Sequence, residues 1–399
     1  MNSMKKTFDE VVLFARTGLN PRQNFKLGQG HNAYITIKNI KNNSLIIDEN
    51  TDVVDDEAIK LIHKRSQIKK GDILFASIGR MGDMYIIDEE PTDWDINESV
   101  FAFTLDTSIV RQKYFYYIFR VKSTLDYLTS NSSGSTFKSI KMNQLKKMVF
   151  DIPSLEEQDR IVKLLDNVCN VIEMRKQELS ALDKLIKARF VELFGSIQEG
   201  KFEMKTLPEI VMQDKNSIKR GPFGGALKKD DFVESGYLVY EQRHAIHDDF
   251  EYAKYYITKE KYRDMIGFKV VPGDLIISCS GVTLGRIAEI PLEAKEGIIN
   301  QALLKLSLNQ SVMMNTFFIQ QFRSEEIQEI LFGFSRGSGI PNMPSMNEVK
   351  AVKFICPPIE LQRQYCDFVH QVDKSKVAVQ KSLDEAQLLF DSLMQKYFG

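Results

Sequence analysis

Apolar residues recur at alternating steps of three and four along two stretches of the chain, 153–195 and 357–399, which align without a gap at an offset of 204 residues. The first stretch carries Ile161, Leu165, Val168, Ile172, Leu179, Leu182, Ile186 and Leu193 in this rhythm, with Arg175 as a polar interruption. The second places Tyr365, Val369, Val372, Val379, Leu383, Ala386, Phe390 and Tyr397 in the same register, interrupted by Lys376. Such spacing predicts two helices of about 40 residues, each about 60 Å long at 1.5 Å per residue. A stripe this narrow, held for several heptads, suits a single partner helix, and each helix is the other's obvious partner. The expected seam comprises Ile161, Leu165, Val168, Leu179, Leu182 and Ile186 against Val369, Val372, Val379, Leu383 and Phe390.

Local signals agree on the boundaries. Ser154 with Glu157 three residues on forms a capping box, Pro357-Pro358 suits a first helical turn, and Gly195 is a C-terminal stop. The residues between the helices, 196–356, would fold to a globule with a radius of gyration of about 15 Å, too small to join points a full helix length apart. The helices are therefore expected to run antiparallel, with one globule at each tip of a dumbbell.

The globules repeat as well. KKGDILFASIGR (69–80) parallels VPGDLIISCSGVTLGR (271–286): a Gly-Asp turn, an apolar run of strand composition, then a glycine-rich turn ending in Arg80 or Arg286. Segments 134–153 and 338–357 match, with Met142-Asn143 on Met346-Asn347. Each ends in a short apolar strand, 148–152 or 352–356, feeding a long helix. AYITIKNI (33–40) and YLVYEQRHAI (237–246) read as corresponding strands, which sets Lys38 and Asn39 against Gln242 and Arg243. With helical pieces at 111–128 and 312–332, the fold class is α+β: globules at 1–152 and 196–356, long helices at 153–195 and 357–399, and a pseudo-two-fold internal repeat.

Charge narrows the options. Lys plus Arg number 53 and Asp plus Glu 54, and neither globule is basic on its own. A bulk basic domain of the kind that binds nucleic acid alone is excluded, so any such affinity must come from local patches or from partners. No run of 18 apolar residues suggests a membrane span, and MNSMKKTFDEVVLF makes a poor signal peptide because Asp9 and Glu10 interrupt it. Four cysteines (Cys169, Cys279, Cys356, Cys366) without a CxxC pair predict reduced thiols in a cytoplasmic protein.

Catalytic motifs do not assemble. GFSRG (333–337) fits G-x-S-x-G, but Pro341 and Pro344 follow where a helix is required, and the matching residues 129–133 contain no glycine. GQGHNA (28–33) leads into a strand, whereas a dinucleotide fingerprint follows one and opens a helix. His244, His247, Asp248 and Asp249 are expected to form a solvated loop rather than a metal shell. What recurs in both globules is polar, glycine-rich loops. They hold Lys38, Asn39, Arg80, Lys138 and Ser139 in the first globule. The second has Lys219, Arg220, Lys228, Gln242, Arg243, Arg286, Arg336, Ser338 and Asn342. Arg, Lys, Asn and Gln read base edges, while Ser and backbone N–H groups clamp phosphates. Any one of these is unremarkable as an exposed loop residue; their duplication is what points to DNA.

The P-x-[LI]-E-x-Q openings of the long helices (153–158 and 357–362), the GD-[IL] turns and GPFGGALKKDDF (221–232) resemble, over nearly the whole chain, the specificity subunit of type I DNA restriction–modification systems. The resemblance implies a non-catalytic subunit with two target-recognition domains on an antiparallel helix pair, each reading half of a split DNA site. It further implies two methyltransferase subunits docked on the paired helices and motor-nuclease subunits joining for cleavage. No cofactor is implied in this chain; S-adenosylmethionine, for methylation at adenine N6, would belong to the methyltransferase, and ATP and Mg to the nuclease. Half-sites read from one face lie about 34 Å apart, a scale that a 60 Å rod could set. GLNPRQNFKLGQG (18–30) departs from the family by lacking a GPFGG-type opening, which leaves the start of the first domain undefined. A different class of function, a non-DNA scaffold whose helix pair docks two copies of a partner, shares every helix feature and differs only in the loops.

Overall fold

A computed structural model describes residues 3–41, 43–134, 137–196, 199–223, 225–333 and 341–399. The chain divides into two compact units, Met1–Lys176 with Lys381–Gly399, and Gln177–Gln380. The predicted helices are continuous, Leu155–Phe194 and Ile359–Phe398, and each gives one half to each unit. The α+β class is as expected, but the compact bodies cut across the linear segments.

Within the first unit the helix halves run antiparallel. The Arg160 guanidinium lies over the Tyr397 ring at 5.7 Å, and Arg175 Nε donates to Ser382 Oγ at 3.2 Å, so an advance along one helix is a retreat along the other. Val168, Ile172 and Ala386 are buried between them with Leu383, Phe390 and Leu393 alongside. The second unit shows the same sense: Arg189 over Phe368, Lys376 to Asp183 at 2.8 Å, and Tyr365 Oη donating to the Ile186 carbonyl. Leu179 and Leu182 are half-buried, Val369, Val372 and Val379 buried. The seam is not a two-helix contact throughout, however. Ile161 and Leu165 share a core with Phe103, Phe115 and Met394 in the first unit, and Val369 with Phe194 and Phe317 in the second. The expectation of a single partner is corrected accordingly, because the long helices also bury the apolar faces of their globules.

Each unit holds a four-stranded antiparallel sheet of the same topology. Its strand order is Val12–Thr17, Val100–Leu105, Ile73–Ala76, Met84–Ile86 in the first unit, and Ile218–Arg220, Leu303–Leu306, Leu275–Ser278, Ile287–Glu289 in the second. Beside it a parallel pair recurs, Asn32–Ile35 with Trp94–Ile96, and Tyr237–Tyr240 with Gly297–Ile299. Val149–Ile152 and Lys353–Ile355, which feed the long helices, pair with Met4–Thr7 and Met204–Thr206.

The recurring sequence motifs are fold devices. Gly71 and Gly273 both turn at φ +87°, a conformation that favours glycine. The buried carboxylates beside them, Asp72 and Asp274, close the turn by accepting from the amides of Lys69 and Val271. Asp72 then receives Arg16 at 2.8 Å and Asp274 faces Lys305 at 3.7 Å, so each buried charge meets a cation. Gln158 and Gln362, which end the P-x-[LI]-E-x-Q motif, are wholly buried. Gln158 accepts from the Arg111 amide and donates to the Ile109 and Pro153 carbonyls, and Gln362 does the same with Met314, Val312 and Pro357. Each glutamine thus pins the first turn of a long helix to the segment that enters Gln112–Ile118 or Asn315–Phe322.

Candidate nucleic-acid interface

In the first unit three loops converge. Beyond strand Ile73–Ala76 the chain is stitched to residues 138–140: the Ile140 amide donates to the Ser77 carbonyl (2.9 Å) and the Gly79 amide to the Lys138 carbonyl (3.1 Å). Ser139 exchanges both backbone hydrogen bonds with Ser133. Arg80 joins the third loop, its Nη2 donating to the Ile40 carbonyl at 3.0 Å while its Nε pairs with Asp83 at 3.0 Å. Lys38, Arg80 and Lys138 are exposed around this junction. Four predicted residues therefore come together. Asn39 is different: it is buried, with Oδ1 accepting from the Thr36 amide and Nδ2 donating to the Ile46 carbonyl and Thr51 Oγ1. Its amide holds the loop and offers no edge to a base.

The second unit repeats the construction. The Met343 amide donates to the Cys279 carbonyl and the Gly281 amide to the Pro341 carbonyl, both at 2.8 Å, and Ser280 bridges Asn342. Gln242 Nε2 ties in the third element, donating to Ser280 Oγ at 3.0 Å. Arg243 lies over the Tyr252 ring at 4.4 Å and pairs with Asp249. Arg220 lies over the exposed Phe223 ring at 5.6 Å, with its buried Nε unpartnered. Burial pushes the Cys279 thiol up to about 12, with the Arg220 charge opposing. Lys219 sits over Phe268 instead, on the edge strand, and Lys228 is exposed beside Asp231, which accepts its amide. Arg336, Ser338 and the GFSRG serine, Ser335, lie outside the described residues.

Three sequence correspondences need correction. Thr36 N donates to Asn39 Oδ1 and Glu241 N to His244 Nδ1, both at 2.9 Å, so Asn39 matches His244 and Lys38 matches Arg243, one residue from the expected register. The shift arises because the loop is set by this i to i+3 capping bond, which Asn and His can both make. Arg80 does not match Arg286. Ala76 N donates to the Asp83 carbonyl and Ser278 N to that of Arg286, so the longer second turn puts Arg286 where Asp83 stands. His244 is not part of a solvated loop: it is fully buried, and its Nε2 donates to the Tyr252 carbonyl. Among the described residues no group of three or more His, Cys, Asp or Glu is arranged to hold a metal, and no helix is long and apolar enough to cross a membrane.

Sequence reasoning missed Gly18. A Cβ there would collide with the Ile96 carbonyl, as one at Gly221 would with that of Asn300, and Asn97 and Asn300 cap the same turn through Ser99 N and Ala302 N. The first globule therefore has the counterpart of the GPFGG opening without its sequence. The signal available was a basic residue one or two places before the glycine, Arg16 or Arg220.

Residues 2–184 match the family model described as the type I restriction modification DNA specificity domain. The specificity subunit of the type I restriction enzyme MjaIX from Methanocaldococcus jannaschii is 25% identical over 310 residues, covering 72% of this chain and 68% of that protein. Two solved structures share the fold. A type I restriction-modification S subunit from M. genitalium superposes with a TM-score of 0.53 at 18% identity, over 100% of this chain and 96% of that one. A chain from work on complex assembly and conformational transition of the type I R-M system gives 0.59 at 16% identity, over 99% and 97%.

Proposed function

We propose that the chain, whose residues 2–184 match the type I restriction modification DNA specificity domain, is the specificity subunit of such a system and binds a bipartite DNA target, one half with the loop junction of each unit, while its paired helices dock methyltransferase subunits. One observation carries this reading: the same three-loop junction, built on the same backbone stitches, occurs once per unit and collects exposed Lys38, Arg80 and Lys138 in the first and Gln242, Arg243 and Asn342 in the second. A duplicated junction suits a target with two parts. The extents 1–152 and 196–356 are the proposed recognition domains, each followed in the chain by one long helix. S-adenosylmethionine is assigned to the methyltransferase partner, ATP and Mg to a motor-nuclease partner, and no chemistry to this chain.

The near-neutral charge shapes the expected behaviour. Each phosphate neutralised steepens the salt dependence of binding by a logarithmic slope of about 0.9, and a chain without a basic domain neutralises few. Binding by the isolated chain is therefore weak and salt-sensitive, and becomes tight only with the methyltransferase, which would supply further phosphate contacts. Mobility-shift titrations with and without that partner test this, and tight sequence-specific binding by the chain alone would count against it. The same neutral charge also favours the scaffold alternative. Replacing Lys138 and Arg336 by alanine separates the two: site-specific adenine methylation is lost with assembly intact if the loops read DNA, and is unchanged if the chain is only a scaffold.

A further inference from the structure

The two junctions share their backbone stitches but not what they present. Gly79 (φ +72°) and Gly281 (φ +79°) occupy the same place, each donating its amide across to the facing segment, at Lys138 or Pro341. The next residue is Arg80 in the first unit and Val282 in the second. Both stand at the tip of the turn: the Arg80 side chain is 51% exposed and Val282 is 99% exposed.

Their surroundings differ in a matched way. Arg80 is braced through Nε by Asp83 and through Nη2 by the Ile40 carbonyl, which fixes the guanidinium plane and leaves Nη1 and the second Nη2 hydrogen outside these two contacts. A planar fork held like this matches the adjacent O6 and N7 acceptors of guanine in the major groove. In the second unit Arg286 holds the backbone position of Asp83. An arginine at 282 would therefore lack the carboxylate that buttresses Arg80, whereas a neutral side chain needs no such support. Valine presents two methyl groups, whose complement in the major groove is the C5-methyl group of thymine.

We propose that the residue following this glycine is the base-reading position of each unit: Arg80 selects a guanine in one half-site, and Val282 contacts a thymine methyl in the other. The inference rests on the DNA-reading function proposed above and assigns which residue distinguishes the two half-sites.

The test uses the full chain assembled with its methyltransferase partner. Sequencing of methylated adenines defines the bipartite site, and a site with no sequence preference would overturn the parent reading rather than this assignment. Given a site, Arg80→Ala should relax one G·C position in one half-site by about ten- to a hundredfold and leave the other half unchanged. Arg80→Lys, which keeps the charge and loses the fork, should relax the same position. For Val282, duplexes carrying deoxyuridine at each thymine in turn should show one position in the other half-site where losing the methyl weakens binding about fourfold. That penalty should vanish in Val282→Ala, a change at a fully exposed tip. An unaltered motif in both Arg80 variants, or no methyl-sensitive thymine that Val282→Ala abolishes, overturns the assignment while DNA reading by the junctions stands.

Discussion

Replacing Gln362 by alanine isolates the device that ties a long helix to its globule. The side chain is wholly buried and makes three hydrogen bonds, accepting from Met314 N at 3.0 Å and donating to the Val312 and Pro357 carbonyls, each at 2.9 Å. Alanine leaves one amide and two carbonyls without these partners. An unpaired buried group costs about 1–3 kcal/mol, with carbonyls at the low end because each keeps a second lone pair, so the loss should total about 3 kcal/mol. For a unit of about 200 residues that lowers the melting temperature by about 6–12 °C. The effect should be local: hydrogen exchange at Met314 and the first turn of Asn315–Phe322 should accelerate, with 109–118 in the other unit unchanged. Gln158→Ala should give the mirror result. Gln362→Glu can accept from Met314 but donates nothing when ionised and only once when protonated; burial raises its pKa, so its deficit should shrink, without vanishing, as pH falls and the carboxyl regains a proton. Calorimetry with exchange mass spectrometry on the full chain decides the matter. A loss under about 0.5 kcal/mol with Met314 still protected would refute the pin.

Other consequences can be checked in the same preparations. Leu165→Ala removes a fully buried side chain at the junction of helix and globule and should cost about 3 kcal/mol by denaturant titration, whereas Lys376→Ala, which breaks the partly exposed ion pair to Asp183, should cost less than about 1 kcal/mol. Gly18→Ala should destabilise the first unit by about 2 kcal/mol or more because its Cβ meets the Ile96 carbonyl, and Gly221→Ala should do the same to the second; an innocuous Gly18→Ala would deny the equivalence of the two openings. Burial pushes the Cys279 thiol up to about 12 and that of Cys366 up to about 11, so both stay protonated at pH 8 and should resist alkylation until the chain unfolds, read by mass spectrometry of labelled peptides.

The repeat was legible because its markers are local. A Gly-Asp turn needs a glycine at positive φ and a carboxylate three residues from the amide it caps, and both are visible in a short string at 71–72 and 273–274. The loops were less legible. By sequence Lys38 falls one residue away from its structural counterpart, because asparagine and histidine can make the same capping bond and no alphabet of similarity pairs Asn39 with His244. Arg80 and Arg286 look equivalent because both close a glycine-rich turn; one additional residue in the second turn separates them.

Chain periodicity by itself determined the two long helices, their shared register and the α+β composition, since apolar spacing and turn chemistry act over a few residues and are written in order. Only the tertiary structure decided that the helix starts are embedded in their globules, that Asn39 and His244 face inward while Arg80 and Val282 stand at matching tips, and that Gly18 answers Gly221. Those outcomes depend on which carbonyl or side chain arrives from tens of residues away. Hydrogen bonds across such separations leave no periodic trace in the residues that make them.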